Sequence, residues 1–131
     1  ESKNTPVNSA VWRISQNGDL VWSAPWTGSA RKEKKDWHNE HVNALALNSQ
    51  GDAILAVGWT GLANIRKAQK FDMMVWSMDL NGNQKWIKRY VEPGKQSASS
   101  ITPLSNNHFL LSGGSWFFEI DSDGNLKKIH K

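Results

Sequence analysis

The densest group of side chains able to do chemistry is DWHNEH, Asp36 to His41. His38, Glu40 and His41 are zinc-ligand types, and His-x-x-His is a spacing that zinc sites use. A third ligand is not evident, however, and on a strand two residues three apart face opposite sides. Asp121, Asp123 and Asn125 alternate as the first ligands of a calcium loop do, but the glutamate at its twelfth position is missing. Asn81-Gly82-Asn83 holds the same place in a repeat described below, so a hairpin turn is the expectation there. The sequence contains no G-x-S-x-G, H-E-x-x-H, G-x-x-x-x-G-K-[ST] or G-x-G-x-x-G pattern. It has no cysteine, which excludes a disulfide scaffold and a thiolate metal site. Paired carboxylates for glycoside hydrolysis leave no short motif, but the acids here are few and fall mostly in turns. The expectation is a protein without catalysis, cofactor or metal.

Charge is the more informative signal. The 131 residues carry 16 Lys and Arg against 12 Asp and Glu, a formal net charge of +4. That bias is mild and does not demand nucleic acid. It is unevenly spread. Arg31, Lys32, Lys34, Lys35, Arg66, Lys67, Lys70 and Lys95 stand with only Glu33, Asp36 and Glu92 in the segments 27–39, 61–70 and 92–97. Eight bases against three acids give +5, more than the net charge of the whole chain. The candidate partner-binding residues are therefore Arg31, Lys32, Lys34, Lys35, Trp37, His38, His41, Arg66, Lys67 and Lys70. An acidic protein surface, an anionic glycan or a lipid headgroup layer would suit them; solvated loop lysines with no specific role are the plainer alternative.

The elements that would position these residues follow from an internal repeat. VWRISQNGDLVW (Val11 to Trp22) matches VWSMDLNGNQKW (Val75 to Trp86), both keeping Trp–x₅–Gly–x₃–Trp, and FEIDSDGNLKK (Phe118 to Lys128) is a third copy. Between them, ALALNSQGDAILAVGWT (Ala44 to Thr60) has its counterpart in SSITPLSNNHFLLSGGS (Ser99 to Ser115). Each unit is a hairpin: two apolar, alternating or β-branched runs flank Asn17-Gly18, Gly51-Asp52, Asn81-Gly82, Asn106-Asn107 or Asp123-Gly124, residue types that accept positive φ. Ten strands are expected, near 11–15, 20–26, 41–48, 53–60, 71–79, 84–91, 99–105, 109–113, 116–121 and 126–130. No amphipathic helix is expected, and ANIRKAQKF (Ala63 to Phe71) is expected to be a loop. In such a meander successive connections alternate between the strand ends, which gathers the five tight turns at one end and the basic segments at the other. The eight tryptophans include Trp12, Trp76 and Phe118 at one repeat position and Trp22 and Trp86 at another, where aromatics fill the space between stacked sheets.

The stretch FDMMVWSMDLNGNQKWIKRYVEPGKQSASSITPLSNNHFLLSGGSWFFEIDSDGNL resembles bacterial β-propeller repeats of the form D-x-W-x-x-K-L-D-x-x-G-N-x-x-W … S-I-x-x-x-x-D-G-G-Y-I-L-A-G. The sequence departs from that form at Ser77-Met78 and at Asn106-Asn107-His108, and it inserts a long segment between Trp26 and His41. The resemblance implies an all-β antiparallel meander of about ten strands, with residues 1–131 as one propeller-like domain of about two and a half blades. It also implies an extracytoplasmic setting: periplasmic, cell-surface or secreted. A ring of four four-stranded blades needs about 160 residues. The chain is therefore expected to be a processed form or a piece of something longer, completed by self-association or by other chains. A β-trefoil is the alternative fold, with Gln84-Lys85-Trp86 matching the Q-x-W of ricin-type lectins. The expected function is a non-enzymatic interaction or scaffold module; a carbohydrate-binding lectin-like domain or a fragment of a propeller enzyme are the alternatives. No run approaches the roughly 20 apolar residues of a membrane-spanning helix.

Overall fold

Five short turns set the architecture. In the turn Asp79–Asn83 the amide of Gly82 donates to the Asp79 carbonyl at 3.1 Å, and the Asp79 amide donates to that of Asn83 at 2.9 Å. Gly82 has φ 82°, giving a three-residue loop that ends on a left-handed residue, one of the common hairpin connections. Asn107, φ 65°, holds the equivalent place between Leu104 and His108; asparagine is among the residues that enter this region at low cost. The turns at 15–19 and 121–125 close by the same pair of backbone bonds, and the turn at 48–53 is one residue longer, the Asn48 amide donating to the Ala53 carbonyl.

A computed structural model of the chain describes residues 9–25, 38–62, 71–90 and 96–130. They form ten strands: β1 (Ala10–Ile14), β2 (Leu20–Pro25), β3 (His38–Leu47), β4 (Ala53–Leu62), β5 (Phe71–Asp79), β6 (Gln84–Tyr90), β7 (Ser100–Pro103), β8 (Phe109–Gly113), β9 (Trp116–Ile120) and β10 (Leu126–His130). The strands make three sheets, β1-β2, β3-β4-β5-β6 and β7-β8-β9-β10, and every ladder joins neighbours in sequence in antiparallel register. One half and two whole four-stranded meanders account for the ten strands expected of an all-β antiparallel meander. The repeat identifies the half: β1 and β2 correspond to β5 and β6, the outer pair of a sheet. A β-trefoil would pair strands of different repeats into a barrel; among the described residues no ladder does so. No described residue is helical, and residues 63–70 of the expected loop lie outside those described.

The sheets stack face to face. Val11 and Ala24 of the first pack with Ala56, Met74, Trp76 and Met78 of the second. Leu55, Val57, Met73 and Val75, on the opposite face of the second sheet, pack with Phe109, Leu111, Phe118 and Ile120 of the third. Because β5 is covered on both faces, it lacks the polar alternation of a half-solvated strand and reads as the run MMVWSM, apolar but for the buried Ser77. Aromatic rings carry the contact onward at the turns. Trp22 lies so close to the turn of β5-β6 that a Cβ on Gly82 would stand 2.8 Å from its ring, and Trp86 does the same to Gly124 in the turn of β9-β10. The Trp22 indole N–H donates to the Leu80 carbonyl at 2.9 Å, and the Tyr90 hydroxyl donates to the Gly124 carbonyl at 2.6 Å.

Differences from expectation are confined to strand ends. β3 begins at His38 and β4 runs to Leu62 because their ladder continues through His38↔Leu62. β7 ends at Pro103 because the Leu104 amide already belongs to the turn. At the far end of β4, Gly58 lies against the bulge at Val42–Ala44, and a Cβ there would fall 1.7 Å from the His41 carbonyl oxygen; the equivalent Gly113 would meet the Ser97 oxygen at 1.5 Å. Gly58→Ala or Gly113→Ala is expected to cost about 3 kcal/mol through overpacking against backbone. Gly51→Ala, with open space but φ 72°, should cost about 1 kcal/mol. Urea midpoints of the three variants test this ranking, and equal losses would refute it.

Candidate functional site

The two ends of the strands have different chemistry. At the turn end, the carboxylates of Asp79 and Asp121 are used by their own loops. The Asp79 carboxylate accepts from the amides of Asn81 at 2.8 Å and Asn83 at 2.9 Å and from the Asn83 side chain at 3.0 Å. These bonds to Asn83, followed by the Asn81 amide and the field of Lys85, hold its carboxyl below the ordinary range against the opposing effect of burial. Asp121 repeats the arrangement with the amides of Asp123 and Asn125, the Asn125 side chain and Lys127 Nζ at 3.1 Å. Burial opposes its charge, and those partners overcome it, lowering the carboxyl to about 2. The Asp121-Asp123-Asn125 alternation is thus a hairpin turn in which the first carboxylate is saturated by amide and ammonium donors. Asn48 takes the same position in its turn, accepting from the amides of Asp52 and Ala53. Ser49 and Asn107 join two turns by a side-chain hydrogen bond, beside a small cleft of about 160 Å³ that Lys85 and Asp123 also line.

The opposite end is where 26–37, 63–70 and 91–95 leave and re-enter the sheets. Its floor is built from β3, β4 and residues 96–99. Ser9 bridges the free edge of β3, donating to the Glu40 carbonyl and accepting from the Val42 amide, both at 3.0 Å. The Asn43 side chain donates to the Ala98 carbonyl at 2.8 Å and to Ser97 Oγ at 3.1 Å, while the Ala98 amide donates to the Gly58 carbonyl at 3.2 Å. These bonds tie the second sheet to the third at the root of the loops. Glu40, Thr60 and Gln96 are buried there. The His41 ring stacks on Trp59, with centroids 4.2 Å apart and planes 16° from parallel, because register places the two residues directly opposite each other across the β3–β4 ladder.

Of the expected partner-binding residues, His38 and His41 fall in β3. Arg31, Lys32, Lys34, Lys35, Trp37, Arg66, Lys67 and Lys70 lie outside the described residues. Among the described residues no group of three His, Cys, Asp or Glu side chains is placed to hold a metal ion. No helix of the described residues is long and apolar enough to cross a membrane. Sequence reasoning did not single out Ser9, Trp59, Thr60 or Gln96. Trp59 and Thr60 were visible only as the end of an apolar strand, and the pairings that give all four a role depend on register and on contacts between sheets.

No protein-family model matches the sequence. Curated proteins similar to part of it include the cysteine–tRNA ligases of Bacillus cytotoxicus and Anoxybacillus flavithermus, each 33% identical over 54 residues. That stretch is 41% of this chain and 10% of each ligase, so the chain spans about a tenth of the length of the curated relatives it matches.

The low carboxyl of Asp121 has a stability consequence. Its folded value, about 2, lies below the 3.8 of an unperturbed carboxyl. The charged form therefore stabilises the fold above pH 4, and that contribution is lost as pH falls from about 4 towards 2. Asp121→Asn keeps the amide acceptor but removes the charge and its pairing with Lys127. The variant should be less stable at pH 7, and its stability should fall less steeply between pH 4 and 2. Thermal melts at stepped pH test this, and parallel pH profiles for variant and parent would refute it.

Proposed function

We propose that the chain is a non-enzymatic interaction module of the bacterial propeller-repeat type, working outside the cytoplasm and recognising an acidic protein surface or anionic glycan through its loop end. The observation that carries this reading is the placement of strand ends. β2, β4 and β6 finish, and β3, β5 and β7 begin, at the end opposite the tight turns. The three segments that concentrate the net +5 connect strands that end and begin there, and loops held by a scaffold are the usual place for recognition. The turn end offers less, since the carboxylates of Asp79 and Asp121 are already held by backbone amides. The buried polar floor of Glu40, Thr60 and Gln96, with the His41–Trp59 stack, supports a fixed base beneath those loops. The 54 residues shared with cysteine–tRNA ligases are too small a part of those enzymes to carry an activity across.

The test replaces Lys32, Lys34, Lys35 and Lys67 together with glutamine and measures binding to heparin at low and physiological salt. Surface charge contacts contribute roughly 0.2–1 kcal/mol each, so the fourfold variant should bind about tenfold more weakly and with a shallower salt dependence. Unchanged binding would remove the electrostatic basis of the proposal. Preferential capture of tRNA over heparin at physiological salt would replace the acidic-partner reading with a nucleic-acid one.

A further inference from the structure

The first sheet is half a sheet, and the repeat shows which half is absent. Where the second and third sheets have an inner hairpin, β3-β4 and β7-β8, the first has none among the described residues, and β1 is paired along one side only. An open groove of about 560 Å³ runs there between β1 and β3, lined chiefly by Trp12, Ile14, Leu45, Leu47 and Ile54. Equivalent positions within this chain measure how unusual the exposure is. Leu45, on the face of β3 turned to the first sheet, is 50% exposed against 9% for its counterpart Ile101. Trp12 and Ile14 alternate with the packed Val11 and so lie on the other face of β1, where they are 67% and 50% exposed; their counterparts Trp76, Met78, Phe118 and Ile120 are covered by a neighbouring sheet. What covers Ile101 is known: it lies in the core with Ala44, Ala46, Leu55 and Val57 of β3 and β4. A hairpin of small apolar side chains is thus the element that fits over Leu45.

A second copy of the chain does not supply it. Each copy's β3-β4 hairpin is enclosed in its own cores. The outward face of the third sheet is of another character. Cross-strand register makes Thr102, Leu110, Glu119 and Lys128 one row and Ser100, Ser112, Phe117 and His130 the next. The corresponding rows of the second sheet are Ala46, Leu55, Ser77 and Trp86, and Ala44, Val57, Val75 and Lys88. Lys128 stands where Trp86 would be, Glu119 pairs with His108 at 2.7 Å, and Ser100 and Ser112 hydrogen-bond each other at 2.6 Å. A polar outer face is how a repeat stack terminates. The molecule has one finished end and one apolar end with an open strand edge.

We propose that the groove between β1 and β3 is a docking site for an apolar β-hairpin of the kind that β3-β4 supplies to the next sheet, two strands of alternating small apolar residues. The hairpin adds to the free edge of β1, restoring a four-stranded sheet, and lays alternating small apolar residues over Leu45 and Leu47. Main-chain bonds to an open edge give affinity, and the side-chain pockets give selectivity. The site rests on the stacked-sheet fold and not on the basic loops.

The test uses the whole chain and a fluorescently labelled synthetic peptide with the sequence of residues 41–60, its own inner hairpin. Fluorescence anisotropy should show saturable one-to-one capture. Leu47→Glu in the chain, or Ala46→Asp in the peptide, should weaken capture at least tenfold, while Thr102→Glu on the finished end should leave it unchanged. The Lys32, Lys34, Lys35 and Lys67 variant should capture the peptide normally, so loss of heparin binding and loss of hairpin binding report on separate proposals. Equal capture by the Leu47→Glu chain would overturn the assignment. So would failure to capture the peptide, and so would light scattering that shows a dimer of the chain alone broken by Leu47→Glu, since a second copy would then occupy the groove.

Discussion

The stack depends on indole rings that cross from one sheet to the next and lie flat on a turn that has no side chain beneath them. Trp22 covers Gly82 and Trp86 covers Gly124. Each contact is then fastened by a polar group: the Trp22 indole N–H and Arg13 bond the Leu80 carbonyl, and Tyr90 bonds that of Gly124. The glycine serves two requirements at once, a left-handed backbone and the space for a ring. Lys88 extends the second contact, its ammonium 5.8 Å from the Trp86 ring and 3.0 Å from Asn125. Sheet-on-sheet packing supplies the buried area, but these rings fix how one sheet is set against the next, and with it where the strand ends come together. Gly18, the equivalent glycine of the first turn, has nothing within 4 Å of a Cβ, as expected of a turn with no preceding sheet.

The same contact explains why so much of the fold was legible. Trp–x₅–Gly–x₃–Trp records the ring, the turn it belongs to and the spacing between strands, so aligning the chain with itself yields all ten strands. Turn chemistry was equally open, since Asn107 and the glycines occupy the positions that need positive φ. The ends of β3 and β4 were not, because burial there falls on Glu40 and Thr60, polar residues that break the apolar pattern from which strands are read. The loop end was legible as charge and hardly at all as geometry. His41 was picked out for its ring nitrogens, yet its visible contact is a face-to-face stack with Trp59, which follows from pairing across a ladder and leaves no trace in local spacing.

Polar groups serve two ranges. At the turns, Asn48, Asp79 and Asp121 satisfy backbone amides within five residues, a local arrangement that repeats because the turn repeats, while Trp22, Tyr90 and Ser49 reach the turn of another hairpin. Those at the opposite end reach across 31 to 55 positions, from Ser9 to Glu40 and from Asn43 to Ala98, and join elements that the chain visits far apart. Local bonds shape the hairpins one by one; the distant ones join the sheets at both ends of the strands.

The crossing rings also give the molecule a direction, with a bearing on how such a chain can grow by duplication. A further sheet copied in between the second and third would find a tryptophan on one side and a turn glycine on the other, both halves of the contact already present. One appended after His130 would find Lys128 where its turn glycine needs a ring. Lengthening by repetition is open between the second and third sheets and closed beyond the third, until that lysine codon changes.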